Sequence, residues 1–199
     1  MCNSDFVHLH VHSHFSVQDA LPTPSSLIRA AKDQGFSSIA LTDHGKMGGH
    51  MEFADMAHQL GVKPILGCEF YVAKDRFEKG IITEEGSKKR EKLAHLTVLA
   101  QNELGYRNLL KLGYEASKPE CFYYSPRIDF DFLSENNEGL IVLSGCLASE
   151  LNQTLLKYSE EDALKVAKKY KDIFGDRYFI DLQFHGIEEQ KRNLPFLVN

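Results

Sequence analysis

An α/β fold with a largely parallel sheet is predicted by two observations. Strand-length apolar runs alternate with segments of helical period along the chain, and glycines close the helical segments. A third observation locates the chemistry: polar residues suited to binding a cation recur where the strands end. Sites gather at that end in both open doubly wound sheets and barrels, and the alternation alone leaves those two architectures open.

The first strand is expected over residues 6–11, within Val7-His8-Leu9-His10-Val11-His12-Ser13-His14. Alternate residues of an extended strand share a face, so the four imidazoles would line one side and Val7, Leu9 and Val11 the other. Several neutral imidazoles on one side suit a divalent transition metal. Thr23 then reads as an N-cap and Pro24 as the first residue of a helix with Leu27, Ala30 and Ala31 on its buried stripe, ended by Gly35. Residues 38–41 form the second strand, and residues 47–60 a helix stopped by Gly61. Ile65-Leu66 and Phe70-Tyr71-Val72 read as two short strands separated at Gly67, followed by a polar surface excursion over residues 75–92. A strand at 95–100, a helix at 103–112 and a strand at 140–143 come next. Ser159-Glu160-Glu161-Asp162 has the form of a capping box opening a helix to Phe174, with Gly175 as its stop and residues 178–184 as the last strand.

Composition limits the function classes. With 199 residues, 43% hydrophobic and 26% charged, the chain can bury the core of a single domain, which excludes a disordered segment. A net charge of −5 excludes a generally basic nucleic-acid-binding surface. The local run Lys88-Lys89-Arg90 reads as a solvated loop. No apolar run is long enough to span a bilayer, the first residues lack a secretory pattern, and Cys2, Cys68, Cys121 and Cys146 form no C-x-x-C pair. These features lead to the expectation of a reducing, cytoplasmic location with no membrane partner.

The strand ends carry the candidate chemistry. His10, His12 and Asp19 follow the first strand, Asp43 and His44 the second, and Glu69 the Gly67-Cys68 step. His95 opens its strand, and Cys146 follows residues 140–143 in Ser144-Gly145-Cys146. Each has an ordinary structural explanation by itself: Asp43 as a helix cap, His95 as a satisfied core histidine, Cys146 as a small buried hydrophobe. Together they are costly to bury without a cation to pair them. Imidazole mixed with carboxylate suits Zn²⁺, Mn²⁺ or Fe²⁺ over Mg²⁺, and about seven donors exceed the needs of one tetrahedral ion, which implies two or three. Adjacent ions of this kind clamp a phosphoester and activate water, so the expected reaction is phosphoester hydrolysis with no side-chain nucleophile.

Five phrases occur in order: His8-Leu9-His10-Val11-His12-Ser13; Leu41-Thr42-Asp43-His44-Gly45; Gly67-Cys68-Glu69-Phe70-Tyr71-Val72-Ala73; Leu93-Ala94-His95-Leu96-Thr97-Val98-Leu99-Ala100; and Leu143-Ser144-Gly145-Cys146-Leu147. This series resembles the motifs of the PHP (polymerase and histidinol phosphatase) superfamily. The likeness is closest to the PHP domains of bacterial replicative polymerases, the DNA polymerase III alpha subunits. It extends through Gly105-Tyr106-Arg107-Asn108-Leu109-Leu110-Lys111-Leu112, Tyr124-Ser125-Pro126-Arg127-Ile128-Asp129 and Leu182-Gln183-Phe184-His185-Gly186-Ile187-Glu188-Glu189-Gln190, covering residues 6–192.

The resemblance implies a distorted seven-stranded (βα) barrel with a cluster of two or three divalent ions, zinc or else manganese or iron. Carried over position by position, the ligands are His10, His12, Asp19, His44, Glu69, His95 and Cys146, with His8 an additional candidate. A last Asp-x-His motif, with its strand and helix, is expected beyond Asn199, so residues 1–199 read as one PHP domain cut from a larger polymerase. The implied parent is a DNA-directed DNA polymerase acting in DNA replication, with a metal-dependent 3′–5′ exonuclease for proofreading at this site. Its implied partners are the rest of the polymerase polypeptide, DNA, a proofreading exonuclease subunit and other replicase subunits. His14 and Ala20 depart from the family pattern, and His185 is no substitute for the missing motif. Two other readings stand beside this one: a non-catalytic scaffold that docks a proofreading subunit, and a free-standing histidinol-phosphate phosphatase, which the polymerase-type phrases disfavour.

Overall fold

The computed structural model describes residues 6–82, 88–89 and 92–198. In order, its elements are α1 (Pro24–Asp33), β1 (Ser38–Leu41), α2 (His50–Leu60), β2 (Lys63–Ala73), β3 (Ile81–Ile82), β4 (Lys88–Lys89), β5 (Ala94–Ala100) and α3 (Glu103–Ala116). They continue with β6 (Phe122–Tyr123), β7 (Ser125–Asp129), α4 (Phe130–Glu135), β8 (Leu140–Leu143), α5 (Glu150–Lys157), α6 (Glu160–Phe174), β9 (Tyr178–Phe179) and α7 (Glu188–Val198).

The helix boundaries follow the capping chemistry. Thr23 accepts from Ser26 N–H with Pro24 inside the first turn, Asn102 accepts from Gly105 N–H, and Ser159 accepts from Asp162 N–H. Gly61 ends α2 in the left-handed conformation. That helix starts at His50, three residues later than its apolar pattern suggests, because Met47, Gly48 and Gly49 form the turn before it.

Seven strands make one sheet in the order β6-β7-β2-β5-β8-β9, with β1 also on β2. The sheet is mixed and not largely parallel. β2 runs parallel to β1 over Lys63–Leu66 and to β7 over Tyr71–Ala73, but antiparallel to β5 over Gly67–Val72, and β5 is antiparallel to β8. Gly67 does not break β2 into two strands. It sits where a Cβ would come within 2.6 Å of both Val98 O and Leu99 Cδ2, so glycine permits the close approach of β5. Residues 6–11 form no ladder strand either. The segment lies extended beside β1, with Ala40 N–H donating to His8 O and Thr42 N–H to Val11 O, and only His8 making a bridge, to Ile39. The last strand stops at Phe179, and residues 180–184 continue without a ladder.

The wall nevertheless curves back on itself into a distorted barrel. Phe179 O accepts from Ser144 N–H, Asp181 N–H donates to Ser144 Oγ, and the Asp181 and Gln183 side chains reach His10 in the opening segment. Period-two alternation divides the strands between two environments. Cys68, Phe70 and Val72 of β2, Leu96 and Val98 of β5, and Leu140 and Val142 of β8 face outward, beneath Leu109 and Leu112 of α3 and Tyr170 and Phe174 of α6. A second cluster joins Ile28, Phe53 and Ala57 of α1 and α2 to Ile39 and Leu41. Ala40, Ile65, Leu99, Ile141 and Leu143 pack together on the other face, inside the barrel.

Four features lie where no element was expected: the β6–β7 turn with Tyr124 at φ 61°, the six-residue α4, and the helices α5 and α7. Within the polar excursion, Ile81–Ile82 pairs with Lys88–Lys89. Arg90 and Cys2 lie outside the described residues.

Candidate metal centre

The inward positions at one end of the barrel converge on Glu69. This residue is 1% exposed, in the middle of β2. His44 reaches it because the chain leaving β1 makes a parallel bridge to Glu69, with Glu69 N–H donating to Asp43 O and Gly45 N–H to Glu69 O. Gly45 has φ +58°, and a Cβ there would meet Pro126 Cγ at 2.6 Å, so glycine fits both the turn and the contact. His95 enters from β5, whose inward positions face β2. Cys146 follows β8.

Glu69 Oε2 lies 2.8 Å from His44 Nδ1, 3.2 Å from His12 Nε2 and 3.4 Å from His10 Nε2. Glu69 Oε1 lies 3.0 Å from His95 Nδ1 and accepts from the Cys146 thiol at 3.5 Å. Asp19, more exposed, places Oδ2 3.0 Å from His44 Nε2 and 3.9 Å from His12 Nε2. Three overlapping groups have donor atoms close enough to share an ion: His10, His12 and Glu69; His12, Asp19 and His44; His44, Glu69 and His95. All seven expected ligand positions therefore meet in one place.

The other sequence candidates lie apart. His8 packs edge-on against Phe6 and Phe36, and its ring is not among the converging groups. His14 stacks on Phe15 because the extended segment ends at Ser13, so the shared face of the four histidines reduces to His10 and His12. The left-handed residue beside Asp19 is Gln18, at φ 72°, and not Ala20. His185 hydrogen-bonds Gln190 at the surface. Asp43 does not cap α2, whose N-cap is Gly49. It is buried, and accepts from Ser13 N–H, Ser13 Oγ and Ser16 Oγ.

Asp181 was missed. Its Oδ2 lies 3.1 Å from His10 Nδ1, on the far side of the ring from Glu69. It follows β9 as Asp43 follows β1, but the sequence reads as one strand over residues 178–184, which puts Asp181 inside that strand and hides it from a strand-end rule.

The electrostatics match a site built for positive charge. Burial alone would raise the Glu69 carboxyl, yet the four surrounding imidazoles hold it far below the usual carboxylate range. Burial pulls His10 down, but hydrogen bonds to Asp181 and Glu69 outweigh it and lift the imidazole to about 9. His44 is raised in the same way, against its burial, by Glu69 and Asp19. Burial and the Glu69 charge push the Cys146 thiol up to about 12. Glu69 Oε2 and His44 Nδ1 are buried and only 2.8 Å apart, yet neither has a partner in hydrogen-bond geometry. Two buried atoms without a hydrogen-bond partner, among imidazole, carboxylate and thiol donors, fit divalent metal ions.

The site opens into a cavity of ≈1410 Å³, lined at one end by the cluster and at the other by Ile65, Leu99, Ile141 and Leu143. No helix among the described residues is long and apolar enough to cross a membrane.

Comparison with known proteins agrees with this architecture. Residues 8–185 match the family model described as PHP domain. The DNA polymerase III subunit alpha of Treponema pallidum is 44% identical over 200 residues, covering all of this chain and 17% of the relative. That of Borreliella burgdorferi is 43% identical over 191 residues, covering 94% of this chain and 16% of the relative. The chain thus spans about a sixth of the length of these relatives. A crystal structure from Bifidobacterium adolescentis, described as a metal-dependent phosphoesterase, aligns over 96% of this chain and 82% of its own with a TM-score of 0.57. At 13% identity that likeness shows the fold alone. A match running from the first histidine motif to the end of the barrel wall, on a barrel of the same type, means that this chain belongs to the PHP domain family.

Proposed function

We propose that this PHP domain carries a metal-dependent phosphoesterase site within a replicative DNA polymerase polypeptide, and that it cleaves a phosphodiester at the 3′ end of DNA. The observation that carries this reading is the convergence of four imidazoles, a thiol and a second carboxylate around the buried Glu69. His10, His12, Asp19, His44, Glu69, His95 and Cys146 would hold two or three divalent ions of the zinc, manganese or iron class. When bound, such ions supply Lewis acidity toward a phosphoryl oxygen and activate water.

The protein groups set the rest of the geometry. Glu69 divides the cluster, with Oε2 toward His10, His12 and His44, and Oε1 toward His95 and Cys146. Asp181 holds His10 from behind. Asp19, at 53% side-chain exposure, stands on the open side, where a phosphodiester would approach. Because the chain carries a net charge of −5, attraction for a DNA end comes from the ions and not from a basic surface. The remainder of the polymerase chain is the immediate partner in this reading, other replicase subunits dock through it, and the setting is the cytoplasm.

Metal analysis of the purified protein, followed by assays on 3′-labelled single-stranded DNA and on a phosphomonoester, tests the proposal. Bound metal with release of 3′ nucleotides is the expected result. Cleavage of the monoester alone would refute the DNA substrate, and bound metal with no turnover of either would refute catalysis in favour of a scaffold.

A further inference from the structure

Behind the histidine cluster, on the side away from Glu69, lies a buried hydrogen-bonded group that none of the site assignments uses. Asp43 is 1% exposed and Ser16 2%. Asp43 Oδ1 accepts from Ser13 N–H at 2.7 Å and lies 2.6 Å from Ser16 Oγ, while Oδ2 lies 2.7 Å from Ser13 Oγ. Ser16 Oγ also accepts from His44 N–H at 3.1 Å and lies 3.2 Å from His12 Nδ1.

The directions of these bonds follow from donor chemistry. An ionised carboxylate only accepts, so the 2.6 Å contact requires the single Ser16 hydroxyl proton to point at Asp43. With that proton committed, Ser16 Oγ can only accept from His12. The proton between them must therefore be on His12 Nδ1, which leaves Nε2 as the nitrogen that turns to the cluster. Nε2 is the atom that faces Glu69 Oε2 at 3.2 Å and Asp19 Oδ2 at 3.9 Å. A ring without the Nδ1 proton would place two acceptors 3.2 Å apart at Nδ1, or two acceptors 2.6 Å apart at Asp43, whereas the Nε2 lone pair opposite Glu69 Oε2 is taken up by a cation held between them. His10 likewise has a partner on the side of its ring away from Glu69, with Asp181 on its Nδ1.

We infer that Ser16, backed by Asp43, is a positioning residue that fixes His12 as the Nδ1–H tautomer with its Nε2 lone pair aimed into the cluster. The same serine holds the His44 backbone, so one hydroxyl sets the place of two neighbouring imidazoles whose rings stack at 4.3 Å. A partner behind a metal-facing histidine selects the tautomer and orients the ring. Both the tautomer and the role toward a metal rest on the proposed function, because the ion is what takes up the Nε2 lone pair opposite Glu69.

Long-range ¹H–¹⁵N NMR of the zinc-loaded protein reads the His12 tautomer directly, and calorimetric Zn²⁺ titration reads affinity. The wild type is expected to show His12 protonated on Nδ1. Ser16→Ala is expected to weaken Zn²⁺ binding about 10–100-fold. Asp43→Asn should preserve both readouts, because its carbonyl can stay opposite Ser13 N–H and Ser16 while its amide donates to Ser13 Oγ. Wild-type His12 protonated on Nε2 would overturn the inference, even if Ser16→Ala does not fold. So would a folded Ser16→Ala protein with unchanged zinc affinity. A wild type that binds no zinc would refute the metal centre itself, and the inference with it.

Discussion

Stripping divalent ions from this protein should make its stability fall as pH rises from neutral into the alkaline range. The cause is His10, 14% exposed at the side chain and held between Asp181 and Glu69. Burial works against its protonation, but the two carboxylates lift it from 6.5 to about 9. A histidine raised on folding contributes stability that is complete below its unfolded pKa, here about 6.5, and is lost as pH climbs through the folded value. The difference of about 2.5 pH units at 1.36 kcal/mol each amounts to about 3 kcal/mol. His44 is shifted in the same direction and adds to the trend. Urea unfolding of wild type and His10→Asn in a chelating buffer isolates the His10 share. The stability difference between the two should shrink by about 3 kcal/mol between about pH 6 and about pH 10. A difference that changes by less than about 1 kcal/mol would show that the two carboxylates do not share a proton with His10. Saturating zinc should abolish the trend, because metal and proton compete for the same nitrogen.

Glu69→Gln removes the carboxylate shared by two of the three potential ion groups and leaves only that of His12, Asp19 and His44 intact. Zinc affinity should drop by more than the ~10–100-fold expected for a residue that merely orients a ligand, as read by calorimetry. His8→Ala should leave zinc affinity unchanged, since that ring packs on Phe36 outside the cluster, and a clear loss would return His8 to the ligand set. Gly67→Ala should destabilise the protein by about 1–3 kcal/mol in urea unfolding, because its Cβ would press on the Val98 carbonyl 2.6 Å away and force β2 and β5 apart. His50 works in the opposite pH direction. Burial lowers its pKa while Nε2 bonds Gly67 O, so its contribution is present above about pH 6.5 and is lost on acidification. A pH scan of unfolding below neutrality, compared with His50→Gln, reads this as a flattened acid limb.

Much of the cluster was legible because its donors fall in short motifs beside the core strands, although Glu69 lies in the middle of β2 and His95 near the start of β5 and not at strand ends. Seven ligand positions were named from motifs scattered between His10 and Cys146, and all seven converge. Elements with a local signal were equally readable, since Thr23-Pro24, Ser159 and Gly61 each carry a cap chemistry that needs no distant partner. The misreadings occur where a distant contact overrides the local pattern. Gly67 looks like a break in the sequence, yet it is the point where β5 must approach. Among the described residues, the segment 6–11 alternates like a strand but makes one bridge, to β1, and the barrel closes there through side chains.

The order of residues alone determined the class of fold, several of the helix caps and the donor chemistry of the cluster, because periodicity, capping and ligand type are properties of short stretches of chain. Other helix ends were set elsewhere: α3 runs to Ala116, past the expected end at residue 112. Tertiary structure decided strand directions, the sorting of four alternating histidines into two that face Glu69 and two that do not, and the parts played by Asp43, Ser16 and Asp181. Those depend on which groups meet across 27 to 171 residues of intervening chain, and no local pattern encodes such a meeting.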